Sequence, residues 1–140
     1  MMKVLGLGLL IGLLSGLPAL AGPVVAKIDL SQQTMRVSVV GAQKYVWRVS
    51  TGKSGYRTPT GTFRPYRLAR TYYSKKYDNA PMPNSVFFLG GYAIHGTYQT
   101  GSLGRAVSHG CVRLAPGNAA TLYSLIQKHG LGSARVIVTN

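Results

Sequence analysis

The chain has no glutamate, and its only acids are Asp29 and Asp78, set against 16 Lys and Arg for a formal net charge of +14 at pH 7. An excess of that size draws polyanions to a protein surface. Yet the basic residues form no block, being scattered from Lys27 to Arg135, and no nucleic-acid-binding motif accompanies them. Nucleic acid is therefore not the expected partner; an anionic envelope polymer or membrane surface fits better, beside plain solubility. Cysteine is almost as scarce, with Cys111 alone in 140 residues. A single cysteine forms no disulfide within the chain, and in an exported protein it points to an intermolecular link or a reactive thiol. Cys-x-x-Cys and His-x-x-x-His spacings are also missing. That leaves a zinc site among His95, His109 and Cys111 without support, so no metal or cofactor is expected. Nor is there an internal repeat or a linker long enough to join two domains.

The N-terminus reads as an export signal. Met1 to Lys3 is a short basic start, Val4 to Leu17 is an apolar run, and Pro18 precedes Ala19-Leu20-Ala21, an A-x-A cleavage pattern. The run is short for a spanning helix, which needs about 20 residues. Residues 1–21 are thus expected to be a signal peptide, with a retained membrane anchor as the alternative. Residues 22–140 are expected to form one domain with one modest core, exported to the periplasm or cell wall, without a stable membrane span after cleavage.

Strand signals dominate the remainder. Val24 to Leu30 mixes β-branched and polar residues. Thr34 to Val40 alternates, with Met35, Val37 and Val39 on one face. Gly41-Ala42-Gln43 reads as a turn, and Lys44 to Ser50 alternates again through Tyr45, Trp47 and Val49, which predicts an antiparallel meander. Thr51 to Thr62 is a loop rich in Gly, Ser, Thr and Pro that leads into a further strand at Phe63. Thr71 to Asn84 ends in Pro81-Met82-Pro83, which excludes a helix there, and reads as a surface excursion over the site. Ser85 to Leu89 and Tyr92 to His95 predict two strands joined at Gly90-Gly91. One helix is expected, with Asn118 as N-cap, Leu122, Tyr123, Leu125 and Ile126 at helical spacing, and Gly130 as its stop. A last strand runs from Arg135 to Thr139. The expected class is mainly β, a sandwich or partly open barrel with one helix in the C-terminal half.

Chemistry concentrates at Ser108-His109-Gly110-Cys111-Val112-Arg113-Leu114 and at Ile94-His95-Gly96-Thr97. A cysteine nucleophile needs help to become a thiolate, because its free pKa is about 8.5. His95, at a strand end, is placed as a base should be. In an extended segment His109, Cys111 and Arg113 share one face. Gly110 lets the backbone approach a substrate, and the N–H groups of Gly110 and Cys111 are candidate oxyanion donors. The third histidine, His129, falls at the helix end, where it suits the helix dipole. Taken singly, a lone Cys is most often a small buried hydrophobe; taken with its neighbours in an exported chain, Cys111 reads as a nucleophile. Two other classes stay open: a non-catalytic basic wall-binding module, and a redox or heavy-metal-binding protein.

Ser108-His109-Gly110-Cys111-Val112-Arg113 resembles the signature of the L,D-transpeptidases, the YkuD-type catalytic domain. Thr51-Gly52-Lys53, Thr58-Pro59-Thr60-Gly61-Thr62-Phe63, Met82-Pro83 and Ala93-Ile94-His95-Gly96-Thr97 resemble that family's further blocks, in order. The resemblance implies a YkuD-like β-sandwich in which Cys111 is the nucleophile and His95 its general base. It implies that the Gly96 carbonyl orients the imidazole, that His109 and Gly110 shape the oxyanion side, and that Ser108, Arg113, Tyr92 and Met82 contact substrate. Tyr72 to Met82 corresponds to a loop over the active site. The implied reaction releases D-alanine from a peptidoglycan stem tetrapeptide and passes the acyl group to an amine. The product is a 3-3 cross-link or a tethered envelope protein; with water as acceptor the enzyme is an L,D-carboxypeptidase. One position departs from the family pattern: Asn84 follows Met82-Pro83 where many relatives carry an aromatic residue. Many relatives also carry a separate wall-binding module, whose purpose the positive charge is expected to serve here.

Overall fold

Alternation over Val24–Asp29 (β1), Thr34–Val39 (β2) and Ala42–Arg48 (β3) produces the expected meander in a computed structural model that describes residues 22–140. The expected signal peptide, 1–21, lies outside the described residues. Met35 and Val37 are fully buried on the inner face. The turn between β2 and β3 is tighter than the sequence suggests. Val40 and Gly41 alone form it, with φ of 49° and 79°, and Ala42 and Gln43 join β3. Two consecutive positive φ values match the right-handed twist of a hairpin, so a two-residue turn is preferred to a three-residue one.

The middle of the chain contributes Gly61–Phe63 (β4), Arg67–Ala69 (β5), Tyr73–Ser74 (β6), Ala80–Pro81 (β7), Ser85–Leu89 (β8) and Tyr92–Gly96 (β9). β8 and β9 form the hairpin expected around Gly90-Gly91. The excursion before β8 is more ordered than a loop. β6 and β7 pair as a small hairpin, with Asp78 and Asn79 both at positive φ. Asn84, where the family pattern is broken, also sits at φ 54°, a conformation that Asn tolerates far better than an aromatic residue does.

Val112–Leu114 (β10), Pro116–His129 (α1) and Arg135–Thr139 (β11) complete the fold. The helix starts earlier than expected. Ala115 is the N-cap, without a side-chain hydrogen bond, and Pro116 opens the first turn, where its fixed φ and missing N–H cost nothing. Asn118 therefore lies inside the helix. Gly130 ends it as expected, at φ 103°.

One sheet has the order β3-β2-β1-β11-β4 and the other β10-β9-β8-β5. β11 lies parallel to β1, and β10 parallel to β9. Val24, Ala26, Ile28, Val136 and Val138 of the first sheet share one hydrophobic core with Val86, Phe88, Ile94, Val112 and Leu114 of the second and with Ala119, Leu122, Tyr123 and Ile126 of the helix. The chain is thus mainly β, with one α-helix. Leu122 has no exposed surface, and Leu122→Ala is expected to cost about 2–5 kcal/mol, as buried leucine truncations do; the shift in the urea midpoint measures it.

The second sheet alternates, and that positions the site. Val86, Phe88 and Ile94 point into the main core, whereas Phe87 and Ala93 point the other way, into a smaller cluster with Met82 and Cys111.

Candidate active site

The parallel register of β9 and β10 places Arg113 directly beside His95. Cys111 immediately precedes β10, two residues before Arg113, so these three side chains share the sheet face that looks away from the main core. Above them lies a cavity of about 440 Å³ lined by His95, Cys111, Arg113, Ser108, His109 and Met82, and roofed by Lys75, Lys76, Tyr77 and Pro81 of the β6–β7 hairpin.

His95 is 5% exposed, and its Nδ1 lies 2.7 Å from the Gly96 carbonyl oxygen. A carbonyl only accepts, so Nδ1 carries the proton and Nε2 keeps its lone pair. Burial pushes the imidazole down from its ordinary 6.5 to about 4; the Gly96 hydrogen bond works in the opposite direction, and the Arg113 charge adds to the lowering. At neutral pH His95 is therefore an uncharged base. Gly96 can hold its carbonyl there because of tight packing: a Cβ on it would meet Pro83 at 3.2 Å and the Pro116 backbone at 3.3 Å. Its own N–H donates to the Pro83 carbonyl at 2.9 Å.

The Cys111 side chain is half-buried. Burial raises the thiol, opposed by the Ala93 backbone N–H and by the Arg113 guanidinium. The Sγ lies 3.8 Å from the Gly91 carbonyl oxygen. Burial thus favours the neutral form of both the Cys111 thiol and the His95 imidazole.

Ser108 shapes the turn that presents the thiol. It is fully buried; its Oγ donates to the Cys111 carbonyl at 2.6 Å and accepts from the Gly110 N–H at 3.1 Å. Two expectations change here. The Gly110 N–H, expected to face an oxyanion, is engaged by Ser108. And the segment His109 to Cys111 is not extended, because Gly110 bends it at φ 124°. His109 reaches the cavity by another route, stacked on Tyr77 of the hairpin at 4.2 Å between centroids and 9° between planes, with Tyr56 edge-on at 5.0 Å.

Tyr92, expected to touch substrate, lies behind this turn and is not among the cavity's lining residues. A Cβ on Gly110 would sit 2.6 Å from the Tyr92 ring. Gly110→Ala therefore combines a clash with a backbone conformation that only glycine adopts freely. We expect it to cost about 1–3 kcal/mol, measured by thermal unfolding.

Thr58 had no assigned role in the sequence and proves central. It is fully buried, and its Oγ1 donates to the Gly110 carbonyl at 2.7 Å and accepts from the Gly52 N–H at 3.0 Å. Backbone bonds from Ser108 to the Thr51 carbonyl and from Lys53 to the Ser108 carbonyl, both 3.0 Å, complete the buttress. Its place at the head of the block Thr58 to Phe63 was the signal for it, without any hint of the hydroxyl's partners. Among the described residues no group of three or more His, Cys, Asp and Glu side chains converges.

The family model of the L,D-transpeptidase catalytic domain (YkuD) matches residues 23–138. The YkuD protein of Bacillus subtilis (strain 168) is 27% identical over 103 residues, covering 71% of this chain and 58% of that protein. An L,D-transpeptidase structure from Mycobacterium smegmatis is similar at a TM-score of 0.75 and 26% identity, over 85% of this chain and 59% of that one. One from Stackebrandtia nassauensis is similar at a TM-score of 0.74 and 29% identity, over 86% of this chain and 56% of that one. The chain thus spans less than two thirds of the length of each of these relatives.

Proposed function

Because the chain belongs to the L,D-transpeptidase catalytic-domain family, we propose that it is an exported cell-wall acyltransferase with Cys111 as nucleophile and His95 as general base. The observation that carries this is the Nδ1 bond of His95 to the Gly96 carbonyl, which leaves the Nε2 lone pair free in an imidazole that shares one cavity with the thiol.

In the first half-reaction Sγ attacks the carbonyl between the L-centre of a diamino acid and a terminal D-alanine, and His95 Nε2 takes the thiol proton. The oxyanion rests against the Cys111 N–H, since the Gly110 N–H is held by Ser108. Collapse breaks the peptide bond. D-Alanine leaves with the proton that His95 returns to its amine, and a thioester remains on Cys111. In the second half-reaction an acceptor amine attacks the thioester and His95 removes its proton. The tetrahedral intermediate then expels the Cys111 sulfur, which regains a proton.

Among acceptors, the amine of a second stem peptide is the first choice and gives a direct diamino-acid cross-link. A lysine of an envelope protein comes next. Incubation with a tetrapeptide muropeptide is expected to yield D-alanine together with a cross-linked dimer. A product mixture of trimmed monomer alone would replace the transpeptidase reading by a carboxypeptidase. Absence of D-alanine would remove the acyl-transfer reading altogether.

A further inference from the structure

The cavity over Cys111 has a one-sided charge. Three cationic side chains line it, Lys75, Lys76 and Arg113, and no acid does. No carboxylate elsewhere balances them. Asp29 is occupied on the far sheet by the Ser31 hydroxyl at 2.6 Å and the Gln32 N–H at 3.1 Å, and Asp78 sits at the tip of the β6–β7 hairpin without lining the cavity. The three cations line the cavity from two sides. Arg113 is half-buried beside His95 on the floor. Lys75 and Lys76 belong to the hairpin roof, and the Lys76 ammonium lies 5.5 Å from the centre of the Tyr77 ring that stacks on His109.

We propose that this cavity selects its donor by charge, accepting a stem peptide whose diamino acid keeps a free side-chain carboxylate and discriminating against the same residue with that carboxylate amidated or missing. The inference rests on the acyl-transfer reading and deepens it. The diamino acid must enter the cavity, because its own carbonyl meets Cys111. Its side chain brings an ammonium. Without a carboxylate beside it, that ammonium adds another positive charge to a space that already holds three cations and no acid. With the carboxylate, the side chain is internally neutral, and its anionic oxygens face half-buried Arg113, where a charge pair is strengthened, together with the exposed and more weakly pairing Lys75 and Lys76.

The test compares D-alanine release from two tetrapeptides that differ only in amidation of the diamino acid's side-chain carboxylate. At low salt the free acid is expected to be favoured at least about tenfold in kcat/KM, as close charge complementarity allows. At about 1 M salt, where the screening length is near 3 Å, the ratio is expected to shrink. The double variant Lys75→Gln with Lys76→Gln, at two exposed positions, is expected to lower the ratio to about threefold, with Arg113 left to discriminate. A ratio near one or inverted in the unmodified protein overturns the proposal, as does a ratio that both salt and the double variant leave intact. Release from neither peptide overturns the acyl-transfer reading beneath it.

Discussion

Cys111→Ala is expected to abolish D-alanine release, lowering kcat on the order of 10⁵-fold or more, because alanine offers no atom on which the acyl intermediate can form. The replacement removes one sulfur from a half-buried position packed against Met82, Phe87 and Ala93. The cost to folding is small beside that, about 1 kcal/mol. The two effects therefore separate: the variant folds, its melting curve stays close to that of the parent, and its cavity still admits the donor. Binding of a labelled tetrapeptide is expected to survive while release disappears. A non-catalytic wall-binding module predicts something else, namely no release by either protein and equal binding by both.

His95→Asn is the second large effect. Asparagine retains a polar group of similar reach but supplies no basic nitrogen, so the expected loss in kcat/KM is about 10²–10⁴-fold, the usual contribution of a positioned general base. The parent's pH profile carries the same assignment. Burial lowers His95 to about 4 from its ordinary 6.5, so kcat/KM is expected to hold down to mildly acidic pH and to fall only as pH drops through about 4. A limb near 6.5 would mean that another histidine is the base. Stability follows with a definite sign. Between 6.5 and about 4 the unfolded chain's imidazole binds a proton that the native one refuses, so stability is full above that window and declines as pH falls through it, by about 3 kcal/mol. His95→Asn removes that dependence.

Much of this molecule can be read before it is folded, and the reasons differ by element. β1 and β2 each bury one face, so their period of two is written in Met35 and Val37, whereas β8 and β9 are buried on both faces and read as short apolar runs set off by Gly90-Gly91. The pairing partner of a strand is another matter. Nothing in Arg135 to Thr139 says that it slots in parallel beside β1, because alternation records burial and not neighbours. β5, β6 and β7, two or three residues each, are too short to show a period at all. At the site, Cys111 and His95 stand out by residue type and flanking glycines. Ser108 and Thr58 fall in the quoted motifs, but the partners of their side chains do not show there. Their hydroxyls matter only once a loop near position 58 and a turn near position 110 meet across 52 residues of sequence. The stacking of His109 on Tyr77 is hidden for the same reason, since it depends on how the β6–β7 hairpin folds back over the cavity.

The central claim is a covalent bond at Cys111, and intact mass measures it directly. The purified protein is mixed with a tetrapeptide muropeptide and quenched in acid, beside the Cys111→Ala variant. The expected result is a mass increase equal to the donor minus D-alanine, mapped by peptide digestion to Cys111 and absent from the variant. D-alanine released without such an adduct, and equally by the variant, would contradict the thioester route.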